Sequence, residues 1–365
     1  MNQISEIRAQ LRPHMGWHGA RLSFVALFLV ALFRAKTVNL AELATVWGGN
    51  AEEASNYKRM QRFFKSFEVN MDKIAQMVMS IAGIPQPWVL SIDRTNWSFG
   101  NTHFNILMLC VVYEGIGYPL MWTMLEKKKG NSNSTERMDL LERFEKLFPH
   151  VEIDYLTGDR EFIGKPWLSF LMMDKPIPFR LRMRQTDKIS RGKGQSGITG
   201  AHLFRSLAIG ETRILPGKRW VWGRPVYVIG TRLDPKQKSS TTDDDFLIII
   251  TTHDPQGALA DYSRRWGIET LFGALKTRGF CLESTHFTDK ERLSKLLALL
   301  AIAFVWAMKA GLWRHLQKPI RIIKAHGRRA RSLFRYGFDL LRRFFIVPSQ
   351  SLSESGFCTI QLFSS

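Results

Sequence analysis

Residues 88–93 read Trp-Val-Leu-Ser-Ile-Asp, a short apolar run that ends on a carboxylate. The run follows the Pro85-Gln86-Pro87 break, where apolar spacing changes from helical to extended, so a buried strand is predicted. Further strands are expected at Phe104 to Tyr113 and Tyr118 to Leu125, around Gly115 and Gly117. Ser134 or Thr135 then caps an amphipathic helix reaching about Phe148. Val151 to Thr157 is another strand, and it too runs into an acid, at Gly158-Asp159. A short helix around Trp167 to Met173 and a strand at Ile177 to Met183 complete the stretch.

Three strands able to form a meander, then helix, strand, helix and strand, is the succession of a ribonuclease-H-like α/β fold. Residues 185–245 interrupt it with a segment rich in Gly and Lys/Arg, carrying strand-like pieces at Arg219 to Trp222 and Pro225 to Thr231. Its length and extended character predict a β-rich insertion. Order resumes with the strand Phe246 to Thr251 and a long helix from Asp254 or Pro255. The expected organisation is a helical region over 1–84, an α/β core over 85–184 and 246–312, the insertion between them, and a basic arm and tail over 313–365.

The N-terminal region has its own signal. A helix from Asn39-Leu40 to Val46, a Gly48-Gly49-Asn50 break and a helix from Ala51 to Phe67 resemble a helix-turn-helix. The second helix carries Tyr57, Lys58, Arg59 and Arg62, which makes Arg59 and Arg62 candidate DNA contacts; a two-helix hairpin with a solvated basic face fits the same residues. At the other end, Arg314 to Arg343 holds ten Lys/Arg and one acid, Asp339, and the tail from Pro348 reads as poorly ordered.

Charge sets the partner class. The 365 residues carry 52 Lys+Arg against 32 Asp+Glu, a net +20, with ordinary globular proportions of apolar and charged residues. That excess calls for a polyanion, either nucleic acid or an anionic membrane face. The length suggests two or three domains. Three scattered cysteines, Cys110, Cys281 and Cys358, make neither a disulfide framework nor a metal knuckle, so the expected setting is reducing and cytoplasmic. The apolar runs Leu22 to Phe33 and Leu296 to Met308 are shorter than a membrane span and read as core helices, so no membrane partner is expected.

In a chain this basic, acids at strand ends draw the eye. Neighbouring strands ending at Asp93 and Asp159 would bring two carboxylates together, and like charges that close call for a divalent cation between them. Oxygen ligands with open positions suit Mg²⁺ or Mn²⁺ acting on phosphate. Taken alone, either aspartate also fits a turn or cap. The following helix adds a carboxylate: Tyr262, Arg265, Glu269 and Lys276 stand at offsets 0, 3, 7 and 14. At about 100° per residue these point within one stripe roughly 60° wide, beside a buried face of Ile268, Leu271, Phe272 and Leu275. A solvated i,i+4 pair would explain Arg265 and Glu269 but leave Tyr262 and Lys276 idle.

That pattern, in the context YSRRWGIETLFGALKTRGF, resembles the Y-(2)-R-(3)-E-(6)-K signature of bacterial DDE transposases, the insertion-sequence family that moves by cut and paste. Ser91-Ile-Asp93-Arg-Thr-Asn-Trp97 resembles the family's first-Asp motif and Leu156-Thr-Gly-Asp159-Arg-Glu-Phe162 its second; the likeness covers about residues 85–310. It implies that Asp93, Asp159 and Glu269 hold two Mg²⁺ (or Mn²⁺) ions per active site and catalyse nicking, hairpin formation and strand transfer on double-stranded DNA. It further implies that Arg265 and Lys276 grip terminal phosphates with Tyr262 beside them, that an insertion aromatic (Phe246, Trp220 or Trp222) stacks on a flipped base, and that a homodimer pairs two ends in a bacterial, nucleoid-associated setting. Arg180, Arg182 and Arg184 alternate along one strand, facing DNA or simply solvent. A nuclease of the same fold that does not join strands, and a silent DNA-binding descendant, are the alternatives.

Overall fold

The computed structural model describes residues 3–126, 130–235, 244–324 and 328–347. Five helices come first: α1 (Gln3–Met15), α2 (Gly19–Ala35), α3 (Leu40–Thr45), α4 (Glu53–Ser66) and α5 (Met71–Ala82). Asn39 and Asn70 cap α3 and α5 through their side chains, the favoured use of Asn at a helix start. Then come β1 (Trp88–Phe99), β2 (Thr102–Tyr113), β3 (Ile116–Met124), α6 (Ser134–Leu147), β4 (Ile153–Gly158), α7 (Lys165–Ser169) and β5 (Phe179–Met183). The segment that follows holds β6 (Lys188–Ser190), β7 (Ile198–Thr199), α8 (Gly200–Phe204), β8 (Thr212–Ile214), β9 (Arg219–Val221) and β10 (Arg224–Arg232). The remainder is β11 (Phe246–Thr251), α9 (Ala258–Ser263), α10 (Trp266–Leu275), α11 (Lys290–Gln317), β12 (Ile322–Ile323), β13 (Arg328–Arg329) and α12 (Leu333–Ile346).

The chain is a mixed α/β structure built on one large sheet, ordered β3-β2-β1-β4-β5-β11-β10-β9-β6-β7, with β8 beside β10. The first three strands are antiparallel, β1-β4 and β4-β5 are parallel, and β11 returns antiparallel against β5. Strands of the 185–245 segment continue this sheet, because β10 pairs with β11 along six residues.

Two helix contacts fix what surrounds the sheet. α10 lies against β3, β1 and β2 at a glycine crossing: a Cβ on Gly267 would stand 2.7 Å from Val112 Cγ1 and 3.1 Å from Gly117 N. A Cβ on Gly117 would meet Cys110 Sγ at 2.7 Å and Gly267 O at 3.1 Å. The second contact is between α11 and α12, where a Cβ on Gly337 would collide with Ala307 O.

That second contact changes the picture of the C-terminal region. The stretch from Arg314 is not a free basic arm: α12 packs along α11 and α2, burying Phe334, Phe338, Leu341 and Phe345. Its apolar face is repaid only in this fold, which a charge count does not register. α11 is also longer than the Leu296 to Met308 run suggests, 28 residues in all and long and apolar enough to cross a membrane by length and composition. Its most apolar stretch is 83% buried inside the protein, so that apolarity serves the core. The tail from Pro348, and Cys358 in it, lie outside the described residues.

Candidate active site

Parallel pairing puts the first two acids side by side. Ser91 is registered with Thr157 and Ile92 with Gly158, so Asp93 and Asp159 are the residues that follow the last registered pair. β1 does not stop at Asp93, however. It runs on to Phe99 in register with β2, whereas β4 ends at Gly158. Asp93 thus stands where its parallel neighbour runs out, and the buried run gives way to a half-exposed hairpin.

The expected unbroken helix through Lys276 is two helices. α9 ends at Ser263 and α10 starts at Trp266, and bonds from Arg264 N to Asp261 O (3.1 Å) and Arg265 N to Tyr262 O (3.0 Å) tighten the turn between them. This i→i+3 bonding shifts the phase that a regular helix would keep. Lys276 stands just past the end of α10, with ψ −124°. Even so, its amine approaches β1, donating to Asn96 O (3.1 Å), pairing with Glu283 (2.9 Å) and lying 5.4 Å from the centre of the Trp97 ring.

Arg265 is the hub of the site. Its Nη1 lies 3.3 Å from Asp93 Oδ2 and its Nη2 is 2.6 Å from Glu269 Oε1. Neighbouring negative charge and the Tyr262 phenol hold the guanidinium firmly protonated against the cost of burial. Burial is also the chief reason the Asp93 carboxyl is pushed up to about 7; Arg265 and a bond from Arg94 N to Asp93 Oδ1 (2.7 Å) pull the other way, while Asp159 and Glu161 add repulsion. Burial raises the Tyr262 phenol as well. That phenol lies against Arg265 outside hydrogen-bond geometry.

Three buried polar atoms around Arg265 therefore lack hydrogen-bond partners: Asp159 Oδ1, Tyr262 Oη and Arg265 Nε. Asp159 Oδ1 is 3.6 Å from Arg182, an ion pair without a hydrogen bond. Orphaned buried atoms of this kind leave bonding capacity for a further group. Carboxylate oxygens are the right donors for a hard divalent cation. With Arg265 between Asp93 and Glu269, no three His, Cys, Asp or Glu among the described residues are gathered closely enough to hold one as they stand.

Several residues around the acids went unread in the sequence. Arg94 and Glu161 form a two-pronged ion pair, Nε–Oε1 3.0 Å and Nη2–Oε2 2.9 Å, joining the residue after Asp93 to the second residue after Asp159. Asn105 accepts from Arg94 (2.8 Å), and Ser132 donates to Glu161 (3.1 Å). Both ion-pair partners sit inside the two Asp motifs, which is the signal that could have found them. Arg182 and Arg160 share Asp244, at 2.9 and 2.8 Å.

Other candidates fall elsewhere. Phe246 is 6% exposed and packed in the core, so it offers no ring face to a base; as the first residue of β11 it pairs with Arg232 of β10. Trp222 is 43% exposed, at left-handed φ (50°) in the β9–β10 turn. Arg180 is buried on Asp261 (3.0 Å) and Thr251, so β5 does not present three free arginines. Arg62 is exposed on α4, while Arg59 is half-buried with its guanidinium 5.8 Å from the centre of the Phe24 ring.

The fold and this cluster set the comparison with known proteins. Residues 84–306 match the family model described as the transposase DDE domain. Those residues make up more than half of the chain, which belongs to that family and is a DDE-type transposase. No curated protein matches it. Among solved structures, it is similar to the piggyBac transposase in a cryo-EM synaptic complex with hairpin DNA, at 13% identity and a TM-score of 0.49, over 99% of this chain and 81% of that one.

Proposed function

We propose that this transposase cuts and joins double-stranded DNA at the ends of an insertion sequence, by cut and paste, with Asp93, Asp159 and Glu269 as its catalytic carboxylates. The observation that carries the proposal is the hub: Arg265 links Asp93 to Glu269, and strand register sets Asp159 beside Asp93. The order β3-β2-β1-β4-β5, antiparallel and then parallel, supports a ribonuclease-H-like core, with 185–245 as its insertion.

The three carboxylates would hold two divalent ions, Mg²⁺ or Mn²⁺, in each site. Bound there, the ions supply an activated oxygen nucleophile and charge neutralisation at the leaving oxygen. The protein's own residues position the DNA. Arg265 exchanges its carboxylate partners for a phosphate, and Lys276 holds a second phosphate from its seat on Trp97. Tyr262 packs beneath Arg265 and keeps water from its underside. Trp222, exposed at its turn, takes the stacking role on a flipped base. Two ends brought together imply a homodimer in the DNA complex, within bacterial cytoplasm at the nucleoid.

Glu269→Ala tests this function. The variant is expected to bind transposon-end DNA with affinity near wild type and to lose Mg²⁺-dependent cleavage by a factor on the order of a thousand or more. Cleavage retained by the variant would remove Glu269 from the site.

A further inference from the structure

Away from the acids, one cleft is lined by four cations and two neutral polar residues. Lys58, Arg62 and Lys65 follow one another on α4 at helical spacing and project from one side of it. Together with Ser55, Gln61 and Arg292 they line a cleft of about 570 Å³. Arg292 comes from the first turn of α11, so the cleft is shared between the N-terminal helices and the helix that closes the core. No carboxylate lines it. At the start of α11, Asp289 accepts from Arg292 N (2.8 Å) as the helix cap, and Glu291 pairs with Lys295 (2.7 Å).

The seam is rigid. Phe64 and Phe287 meet edge to face at 5.0 Å, and the buried Lys295 donates to Phe64 O (3.4 Å). Gln61 and Arg292 also line an adjoining cleft of about 190 Å³ with Tyr57 and His286. His286 stacks on Phe99 at 5.0 Å, and Phe99 ends the strand that carries Asp93. Cationic and polar side chains therefore lead from α4 across α11 to β1. Four like charges facing one cleft repel one another, and a polyanion laid in it relieves that repulsion.

We infer that the α4–α11 seam is a track for the DNA backbone, in which Arg292 of the core and Lys58, Arg62 and Lys65 of α4 contact the same stretch of duplex. The inference rests on the proposed DNA function and extends it. α4 reads DNA from a position fixed to the catalytic sheet rather than from a tethered module, and Arg292, outside the helix-turn-helix-like unit, is part of the grip. Arg59 is left out because its guanidinium is turned onto Phe24.

Phosphate contacts can be counted by salt, since each one lost lowers the slope of log affinity against log salt by about one. Full-length protein is titrated with a fluorescently labelled mixed-sequence duplex over a range of KCl. Arg62→Ala and Arg292→Ala are each expected to lower the slope by about one and weaken binding severalfold, and the double variant to lower it by about two. Arg292→Lys keeps the slope, and a thermal melt matching wild type shows that the alanine variants are folded. A wild-type slope in Arg292→Ala, with a reduced slope in Arg62→Ala, overturns the shared track and leaves the DNA function standing. A wild-type protein that binds no duplex at any salt overturns both.

Discussion

Arg265 stands between Asp93 and Glu269, 3.3 Å from one carboxylate and 2.6 Å from the other. A guanidinium so placed is a resident counter-cation, and it competes with any divalent ion for the same oxygens. Replacing it by Gln should tighten Mg²⁺ or Mn²⁺ binding to the DNA-free protein by about tenfold, because the metal then meets uncompensated carboxylates. If the proposed reaction runs through a hairpin, the same variant should lose that step more than first-strand nicking, since it would keep the DNA end gripped through a change of strand. Calorimetric metal titration checks the first outcome and gel assays of the two steps the second; unchanged metal affinity would show that the guanidinium and the ion do not share a seat.

The Asp93 carboxyl makes metal-free stability depend on pH. Its pKa rises from an ordinary 3.8 to about 7, chiefly through burial. Between those two values the folded protein holds a proton that the unfolded chain has released. Stability therefore falls as pH rises through that window, and it is level above and below. Asp93→Asn removes the dependence. In EDTA the variant should be more stable than wild type at about pH 8, by up to about 4 kcal/mol, with the gap closing towards about pH 4. Urea denaturation across that range measures it, and a constant gap would place the effect elsewhere.

The strands that carry Asp93 and Asp159 were legible in the sequence and much of their setting was not, for physical reasons. Asp93 and Asp159 stand out because an apolar strand that reaches a charge is a local event. The break between α9 and α10 has no proline or helix-ending glycine to announce it, only tight i→i+3 bonding at Arg264 and Arg265. Phe246 begins a strand either way, and its burial comes from the core that forms only once β11 has paired with β10. The basic stretch from Arg314 has an apolar stripe, but its seat on α11 depends on Gly311 and Gly337 meeting across the two helices. Arg94 and Glu161 stand within the two Asp motifs, yet their pairing spans 67 residues and needs the parallel β1–β4 register to bring them together.

The glycine crossing under α10 sets how deeply Glu269 and Arg265 lie against the sheet. A methyl group at Gly267 would press on Val112 and on the backbone of Ile116 and Gly117. Gly267→Ala should therefore cost about 1–3 kcal/mol and push the helix outward, reducing activity more than DNA binding. Adding Val112→Ala should restore part of the stability by removing the closest contact, at 2.7 Å. Melting curves of the single and double variants, read beside cleavage rates, decide whether depth or general packing is at stake.

The Arg94–Glu161 ion pair should matter for the chemistry as well as the fold. Its side chains are 12% and 14% exposed, so truncating one leaves a largely buried charge behind, at a cost of about 3–5 kcal/mol. The pair also ties Asp93 to the loop after Asp159: Arg94 N donates to Asp93 Oδ1 while Arg94's guanidinium holds Glu161. Glu161→Gln keeps the shape and one acceptor oxygen but gives up the charge-assisted fork. It should unfold less readily than Glu161→Ala, yet require more Mg²⁺ for half-maximal cleavage than wild type, by about tenfold. Metal dependence separates the two roles. A pair that only supports the fold would leave the half-maximal Mg²⁺ concentration of Glu161→Gln where wild type has it, whereas a pair that positions Asp93 and Asp159 must move it.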